Sequence, residues 1–167
     1  MASAILSDDV VALAEQVVRE NTALSRKIAV AESCTGGLVC AALTEVPGCS
    51  AVLDRGFVTY SNEAKGQLLG VSDDIIEAFG AVSPATAWAM AQGALSRSDA
   101  DVAVAISGVA GPGGGSELKP VGTVVFACAR RGESVEEINA EQRLLDGKDR
   151  GEIRRQATLV ALELLLP

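Results

Sequence analysis

Two residues of this sequence, Ser33 and Lys65, have the side chains that nucleophilic catalysis without histidine would require. The chain contains no histidine, which excludes Ser-His-Asp and Cys-His catalysis as well as histidine-based zinc sites. A lysine or a carboxylate is then left as the general base near neutral pH. Because burial can keep a lysine amine neutral, a Ser-Lys pair is the activated nucleophile that this composition permits.

Ser33 closely follows the apolar run Ile28–Ala31, and glycines follow it in turn. This pattern predicts a buried strand, a tight turn and then a helix over about Thr35–Glu45. The free N–H groups at the start of that helix could hold an anion or a developing oxyanion. Serine at such a place is also a common helix N-cap, and Cys34 is a rival nucleophile because a helix N-terminus lowers the pKa of a thiol.

Two further segments repeat the pattern of a strand followed by polar residues. The predicted strand Gly56–Tyr60 precedes a helix that carries Lys65, and the strand Val102–Ile106 precedes Ser107 and a glycine-rich loop. Because the carboxyl ends of parallel strands share one edge of an open sheet, we expect Ser33, Lys65 and Ser107 to converge there. The alternatives are a solvated lysine on a helix surface and a serine that serves only the turn.

The glycine-rich loop over residues 108–115 could cradle a phosphate through its backbone N–H groups, or could be a flexible surface loop. It matches neither the P-loop nor the dinucleotide fingerprint, which argues against a NAD-dependent oxidoreductase. Lys148 and Arg150 fall at the start of the last predicted helix, where the helix dipole disfavours a cation unless an anion is near. They indicate a phosphate or carboxylate ligand, or else an exposed basic pair balanced by Asp146 and Asp149.

The composition predicts one globular domain over residues 1–167, since 49% of the residues are hydrophobic. A net charge of −8 and few aromatic residues argue against nucleic acid as a partner. The apolar runs are shorter than a membrane span and no signal segment is evident, so we expect a cytoplasmic protein without membrane contact. The cysteines lack metal-site spacing, and the first three fall in a stretch predicted to be helical, which favours reduced thiols and no metal.

Strand and helix signals alternate along the chain. Predicted N-caps mark further helix starts at Ser7, Ser61, Ser72, Ser83 and Asp149. The segments Val121–Ala129 and Val135–Leu144 predict a hairpin about the turn Arg130–Glu133. The predicted fold is a three-layer α/β/α sandwich with a mixed, mostly parallel sheet.

Several motifs, taken in chain order, resemble the C-terminal domain of the CinA family, the family of nicotinamide-nucleotide amidohydrolases. They are AESCTGG (31–37), YSNEAK (60–65), LLGV (68–71), GAVS (80–83), SGVAGPGG (107–114) and KPVGTV (119–124). The resemblance runs from about Val10 to the end of the sequence. It implies hydrolysis of the carboxamide of nicotinamide mononucleotide to nicotinic acid mononucleotide and ammonia, without a cofactor and in a homodimer. Larger members carry an additional N-terminal domain, whose activities are not expected of this sequence.

The same resemblance assigns roles by motif. Ser33 would be the nucleophile, Lys65 its base, and Ser107 a proton relay or a substrate ligand at a position where many members have threonine. Arg150 would bind the phosphate, with Arg154 as the fallback. Further substrate contacts, including backbone N–H groups for an oxyanion, would come from Thr35, Gly36, Gly37, Tyr60, Gly108, Gly111, Gly113 and Gly114. A binding module that senses a nucleotide or another small anion, without a working base, is the alternative function.

Overall fold

A computed structural model describes residues 5–167 of the chain, so residues 1–4 of the predicted domain lie outside the described part. The strands are β1 (Ile28–Glu32), β2 (Leu53–Val58), β3 (Val102–Gly108), β4 (Thr123–Arg130) and β5 (Asn139–Leu144). The helices are α1 (Asp8–Ala23), α2 (Leu38–Glu45), α3 (Asn62–Leu69), α4 (Asp73–Phe79), α5 (Pro84–Ser96) and α6 (Arg150–Leu164). Within residues 5–167, no helix is long and apolar enough to cross a membrane.

The strands form one sheet in the order β2-β1-β3-β4-β5. Strands β2, β1 and β3 are parallel, β4 is antiparallel to β3, and β5 is antiparallel to β4. Every strand except β4 therefore runs in the same direction, which confirms the mixed, mostly parallel sheet. The chain leaves β1 to form β2 on one side and later forms β3 on the other side. Such a reversal opens a crevice beyond the carboxyl ends of β1 and β3.

Helices cover both faces of the sheet and complete the predicted three-layer sandwich. Alternate residues of β1 serve the two cores: Ile28 and Val30 face the cluster that includes α1, α2 and α6 residues, whereas Ala29 and Ala31 face the cluster with α5. A Cβ at Gly93 of α5 would collide with the carbonyl oxygen of Leu69, the last residue of α3. Glycine at this position lets α3 pack closely against α5, which fixes the helix that carries Lys65.

Most of the predicted helix starts are confirmed, and their capping side chains act as predicted. The residues whose side chains accept a backbone N–H of the first helical turn are Ser61, Ser72, Ser83 and Asp149. Ser7 occupies the N-cap position of α1 without a side-chain capping bond.

The predicted helix Thr35–Glu45 is wrong at its start, because α2 begins only at Leu38. Gly36 and Gly37 have φ values of 58° and 101°, a left-handed conformation that stops residues 35–37 from joining the helix. The first three cysteines consequently do not share a helix. Cys34 lies in this turn, Cys40 in α2 and Cys49 in a 3-10 turn.

The strand bounds also differ from the prediction. Strand β3 continues through Ser107 and Gly108, β4 begins at Thr123 rather than Val121, and the two largest differences are in β2 and β5. Strand β2 covers Leu53–Val58 rather than Gly56–Tyr60, because it is an edge strand whose polar residues still pair with β1. The second strand of the hairpin begins at Asn139 rather than Val135, since Val135–Glu137 form a 3-10 turn. Both errors arise where a strand is half exposed and its apolar signal is weak.

Candidate active site

The structure brings Ser33 and Lys65 together at the carboxyl edge of the sheet. Ser33 lies in the turn after β1, and its N–H donates to the carbonyl of Ile106 on β3 at 2.9 Å. Lys65 lies one turn into α3, and its Nζ is 3.2 Å from the Ser33 Oγ. Both side chains are buried, with Ser33 7% exposed and Lys65 1% exposed. The N-cap of α2 is Gly37, so Ser33 does not serve as the helix cap.

The surroundings of the Lys65 amine favour its neutral form. Its Nζ also donates to the carbonyls of Thr59 at 2.9 Å and Tyr60 at 3.3 Å, and no hydrogen bond or ion pair joins it to a carboxylate of residues 5–167. Burial lowers the pKa of Lys65 below its usual value of 10.5. A neutral amine has two N–H donors and one lone pair. The two carbonyls can take the donors, and the lone pair can then accept the Ser33 proton.

Glu32, the residue before Ser33, holds the start of α2. Its fully buried carboxylate accepts the N–H groups of Gly37 at 3.0 Å, Val39 at 3.1 Å and Cys40 at 3.0 Å. The prediction that free N–H groups of this helix face a ligand is therefore wrong, because Glu32 binds them. The sequence carries one signal for this contact, a carboxylate that closes an otherwise apolar strand.

Two other backbone N–H groups of the same turn donate to no carbonyl or carboxylate in the described part of the chain. The Gly36 N–H donates to the Ser33 carbonyl at 3.0 Å, and Gly37 is bound to the carboxylate described above. Within residues 5–167, the N–H groups of Cys34 and Thr35 donate to no carbonyl or carboxylate. The buried Thr35 hydroxyl also has no hydrogen-bond partner in that part of the chain. The prediction placed the backbone donors for a ligand at residues 35–37. In the structure, the N–H groups of this turn that remain for a ligand are those of Cys34 and Thr35.

Arg154 of α6 binds the opposite side of this turn. Its Nε donates to the Cys34 carbonyl and its Nη2 to the Thr35 carbonyl, each at 3.0 Å. The guanidinium therefore has a structural partner, which argues against the fallback role of Arg154 at the substrate phosphate. The contact could not be predicted from spacing, because it joins residues 119 and 120 positions apart.

Arg150 connects two of the predicted substrate-binding segments. Its Nη1 donates to the carbonyl of Gly111 at 2.7 Å, and its Nη2 donates to the Tyr60 hydroxyl at 3.3 Å. Tyr60 is 63% exposed, while its carbonyl accepts from Lys65. The exposed guanidinium thus lies between the glycine loop and the segment that contacts the lysine amine.

Ser107 is the penultimate residue of β3, the strand that pairs with β1, and its hydroxyl proton is already donated to a carbonyl. It follows Ile106, whose carbonyl accepts the Ser33 N–H, and its Oγ donates to the carbonyl of Ala81 at 2.8 Å. Ser107 is 2% exposed. A hydroxyl has one proton and two lone pairs, so Ser107 in this arrangement offers a ligand an acceptor.

The glycine loop contains both packing and exposed positions. A Cβ at Gly108 would collide with Val124, so this glycine is required by the β3-β4 contact. Gly113 and Gly114 are exposed, and within residues 5–167 their N–H groups donate to no protein acceptor. These two N–H groups are the ones that the loop can offer to an anion.

Cys34 does not have the environment of a reactive thiol. The side chain is buried beside Ser33, and burial raises the pKa of the thiol to about 11. The thiolate is the nucleophilic form of cysteine, so this environment disfavours Cys34 relative to Ser33.

The fold and the site define an α/β sandwich protein with a buried serine-lysine pair at the crevice of its sheet. The chain belongs to the CinA C-terminal domain family, whose sequence profile matches residues 10–167.

Comparison with curated proteins finds relatives of two lengths. The chain is 50% identical to the nicotinamide-nucleotide amidohydrolase PncC of Escherichia coli strain K12, and the match covers 92% of this chain and 90% of that protein. It is 56% identical to a putative competence-damage inducible protein of Caldicellulosiruptor bescii, over 71% of this chain but 29% of that longer protein.

Solved structures share the fold. The competence/damage inducible protein CihA from Agrobacterium tumefaciens superposes with a TM-score of 0.92 at 46% identity, covering 98% of this chain and 97% of that one. A CinA superfamily protein from Escherichia coli gives a TM-score of 0.87 at 36% identity, covering 96% and 92%.

Proposed function

We propose that this protein hydrolyses the carboxamide of nicotinamide mononucleotide to nicotinic acid mononucleotide and ammonia. The observation that carries the proposal is the contact between the Lys65 Nζ and the Ser33 Oγ in a buried crevice. The 50% sequence identity to the nicotinamide-nucleotide amidohydrolase PncC of Escherichia coli supports the choice of substrate. A carboxamide is a poor electrophile, so its hydrolysis requires an activated nucleophile and a stabilised oxyanion.

The first half-reaction transfers the acyl group to Ser33. Neutral Lys65 accepts the hydroxyl proton while the Ser33 Oγ forms a bond to the carboxamide carbon, and the C=O π electrons move to the oxygen. The N–H groups of Cys34 and Thr35, which donate to no carbonyl or carboxylate of residues 5–167, are the backbone donors proposed for this oxyanion. Lys65 is held for the transfer by the Thr59 carbonyl.

The tetrahedral intermediate then expels ammonia. The C–N bond breaks as protonated Lys65 gives its proton to the leaving nitrogen. Ser107 can accept an N–H of the carboxamide, because its own proton is donated to Ala81. Water next attacks the acyl-Ser33 ester, and Lys65 again accepts the proton. The C–O bond to Ser33 breaks, Lys65 returns that proton to the Ser33 Oγ, and the acid product leaves as its carboxylate after losing a proton to solvent.

We place the phosphate of the substrate near Arg150 and the exposed glycines of the loop. Arg150 supplies a guanidinium, and Gly113 and Gly114 supply backbone N–H groups with no protein acceptor in residues 5–167. Tyr60, which is largely exposed beside Arg150, offers a ring at the mouth of the crevice.

The test is ammonia release from nicotinamide mononucleotide by the purified protein. The Ser33→Ala variant should abolish turnover and keep the fold, whereas Ser50→Ala, at an exposed serine, is the matched control. Ammonia release by Ser33→Ala near the parent rate would contradict the assignment of the nucleophile. Binding of the nucleotide without ammonia release would favour a non-catalytic binding module instead. The homodimer is also a proposal, which light scattering of the purified protein tests.

A further inference from the structure

Glu32 is a buried charged residue for which the proposed reaction steps have no role. It is 0% exposed, ends β1 and immediately precedes Ser33. Helix α2 has no capping side chain of its own, since its N-cap is Gly37 and its first turn has no acidic residue. The Glu32 carboxylate supplies the missing cap from the neighbouring strand.

The hydrogen bond from the Gly37 N–H to the Glu32 carboxylate closes residues 32–37 into a short hydrogen-bonded ring. The strand end is fixed because the Ser33 N–H donates to Ile106, and the helix end is fixed because the Gly37 N–H donates to Glu32. Inside the ring, the Gly36 N–H donates to the Ser33 carbonyl. Because a peptide group is planar, fixing the Gly37 N–H sets the plane of the 36–37 peptide.

A carboxylate suits this position better than a neutral group. Three N–H groups, from Gly37, Val39 and Cys40, converge on the two oxygens at 3.0 to 3.1 Å. An ionised carboxylate accepts at both oxygens and interacts favourably with the positive end of a helix. A carboxamide has one acceptor oxygen, and its NH₂ group would face at least one of these N–H donors.

We propose that Glu32 is a positioning residue for Ser33, holding the turn in which the nucleophile faces Lys65. The inference rests on the proposed role of Ser33 as nucleophile. Glu32 acts through the backbone and does not contact the substrate. Its loss should slow acyl transfer to Ser33 and leave nucleotide binding at Arg150 nearly unchanged.

The experiment compares Glu32→Gln with the parent in two assays. One is the rate at which a fluorophosphonate probe labels Ser33, and the other is kcat and KM for nicotinamide mononucleotide. We expect the labelling rate and kcat to fall roughly 10- to 100-fold with KM nearly constant, as small displacements of a reacting group produce. Glu45→Gln, at the exposed far end of α2, is the matched control and should behave as the parent.

A second control separates positioning from general loss of stability. Leu162→Ala removes a buried side chain in the C-terminal half of α6 and should lower Tm without slowing Ser33 labelling. If Glu32→Gln loses no more labelling rate than Leu162→Ala at a similar Tm, Glu32 is only a structural cap and the inference is overturned. If Glu32→Gln does not fold, Glu32→Asp replaces it in the same comparison with Leu162→Ala. Aspartate keeps the charge, but its shorter side chain withdraws the carboxylate from the N–H groups.

The probe keeps this inference separate from the choice of substrate. A parent protein that labels at Ser33 but releases no ammonia contradicts the proposed substrate, and the labelling rates of the variants still judge Glu32. A parent that does not label at Ser33 contradicts both the nucleophile and its positioning residue.

Discussion

The Lys65 amine lies 3.2 Å from the Ser33 hydroxyl, and its other hydrogen-bond partners are backbone carbonyls. A buried lysine without a carboxylate partner destabilises its own protonated form. The position is therefore unfavourable for a structural ion pair and suitable for a general base.

Replacing Lys65 by methionine should remove the base and keep the volume of the side chain. We expect kcat for nicotinamide mononucleotide to fall roughly 10²- to 10⁴-fold, the range for general acid-base groups. Steady-state ammonia assays measure the effect, and circular dichroism checks the fold. Lys27→Met, at an exposed lysine before β1, is the control and should retain parent activity. A Lys65→Met variant with parent kcat would exclude this lysine as the base.

The lowered pKa of Lys65 gives a defined pH dependence. Because the neutral amine is the active form in the proposed mechanism, kcat/KM should rise with pH through the folded-state pKa, which lies below 10.5. Initial rates over a pH series with the parent measure this limb. An activity that falls as the pH rises through neutrality, in a protein that stays folded, is the contrary result.

The free energy of unfolding should also depend on the protonation of Lys65. The unfolded chain binds the Lys65 proton up to about pH 10.5 while the folded chain releases it at lower pH, so the unfolding free energy rises between the two pKa values. At pH values below the folded-state pKa, Lys65 is protonated in both states, and the full cost of burying its charge lowers the unfolding free energy. Lys65→Met should therefore be more stable than the parent at neutral pH, and this advantage should shrink as the pH approaches 10.5. Denaturant unfolding at several pH values, with Lys27→Met as reference, measures the difference.

Arg150 and Arg154 should give different kinetic effects although they lie one helical turn apart. Arg150→Met should raise KM for nicotinamide mononucleotide about 10- to 100-fold, the effect of losing a charged hydrogen bond of about 1.5–3 kcal/mol. It should change little for nicotinamide riboside, which lacks the phosphate. Arg154→Met should lower kcat for both compounds, because it releases the Cys34 and Thr35 carbonyls. Equal effects of both variants on the phosphate-bearing compound alone would contradict this division.

Ser107 should be replaceable by threonine but not by alanine. Threonine keeps the hydroxyl that donates to Ala81, whereas alanine removes the acceptor proposed for the carboxamide N–H. We expect about a tenfold loss of kcat/KM for Ser107→Ala, the effect of one hydrogen bond of about 1–1.5 kcal/mol, and little loss for Ser107→Thr. An inactive threonine variant that folds normally would show that the site requires more than a hydroxyl.

The sequence allowed the fold and the serine-lysine pair to be predicted because both depend on local patterns and one general rule. Ser33 and Lys65 each follow a strand, and parallel strands end at a common edge. The predicted start of α2 was wrong because the left-handed Gly36 and Gly37 belong to a turn whose far end is bound by Glu32. That contact forms only in the folded chain, so helix propensity cannot reveal it.

The role of Arg154 was missed for a related reason. The Arg154 guanidinium binds backbone carbonyls, so no acidic side chain in the sequence marks the contact. Its partners also lie more than a hundred positions away along the sequence. The donation from Ser107 to Ala81 is another such contact, with a carbonyl in the loop before α5. Contacts between a side chain and a distant backbone group depend on how the elements pack, which sequence patterns do not specify.

The most direct test of the central claim is to map where a fluorophosphonate probe reacts, by peptide mass spectrometry, while ammonia release is followed in the same sample. The account predicts modification of Ser33 in proportion to the loss of activity, and much slower modification in Lys65→Met. Modification of Cys34 instead, or full activity after Ser33 has been completely modified, would contradict it.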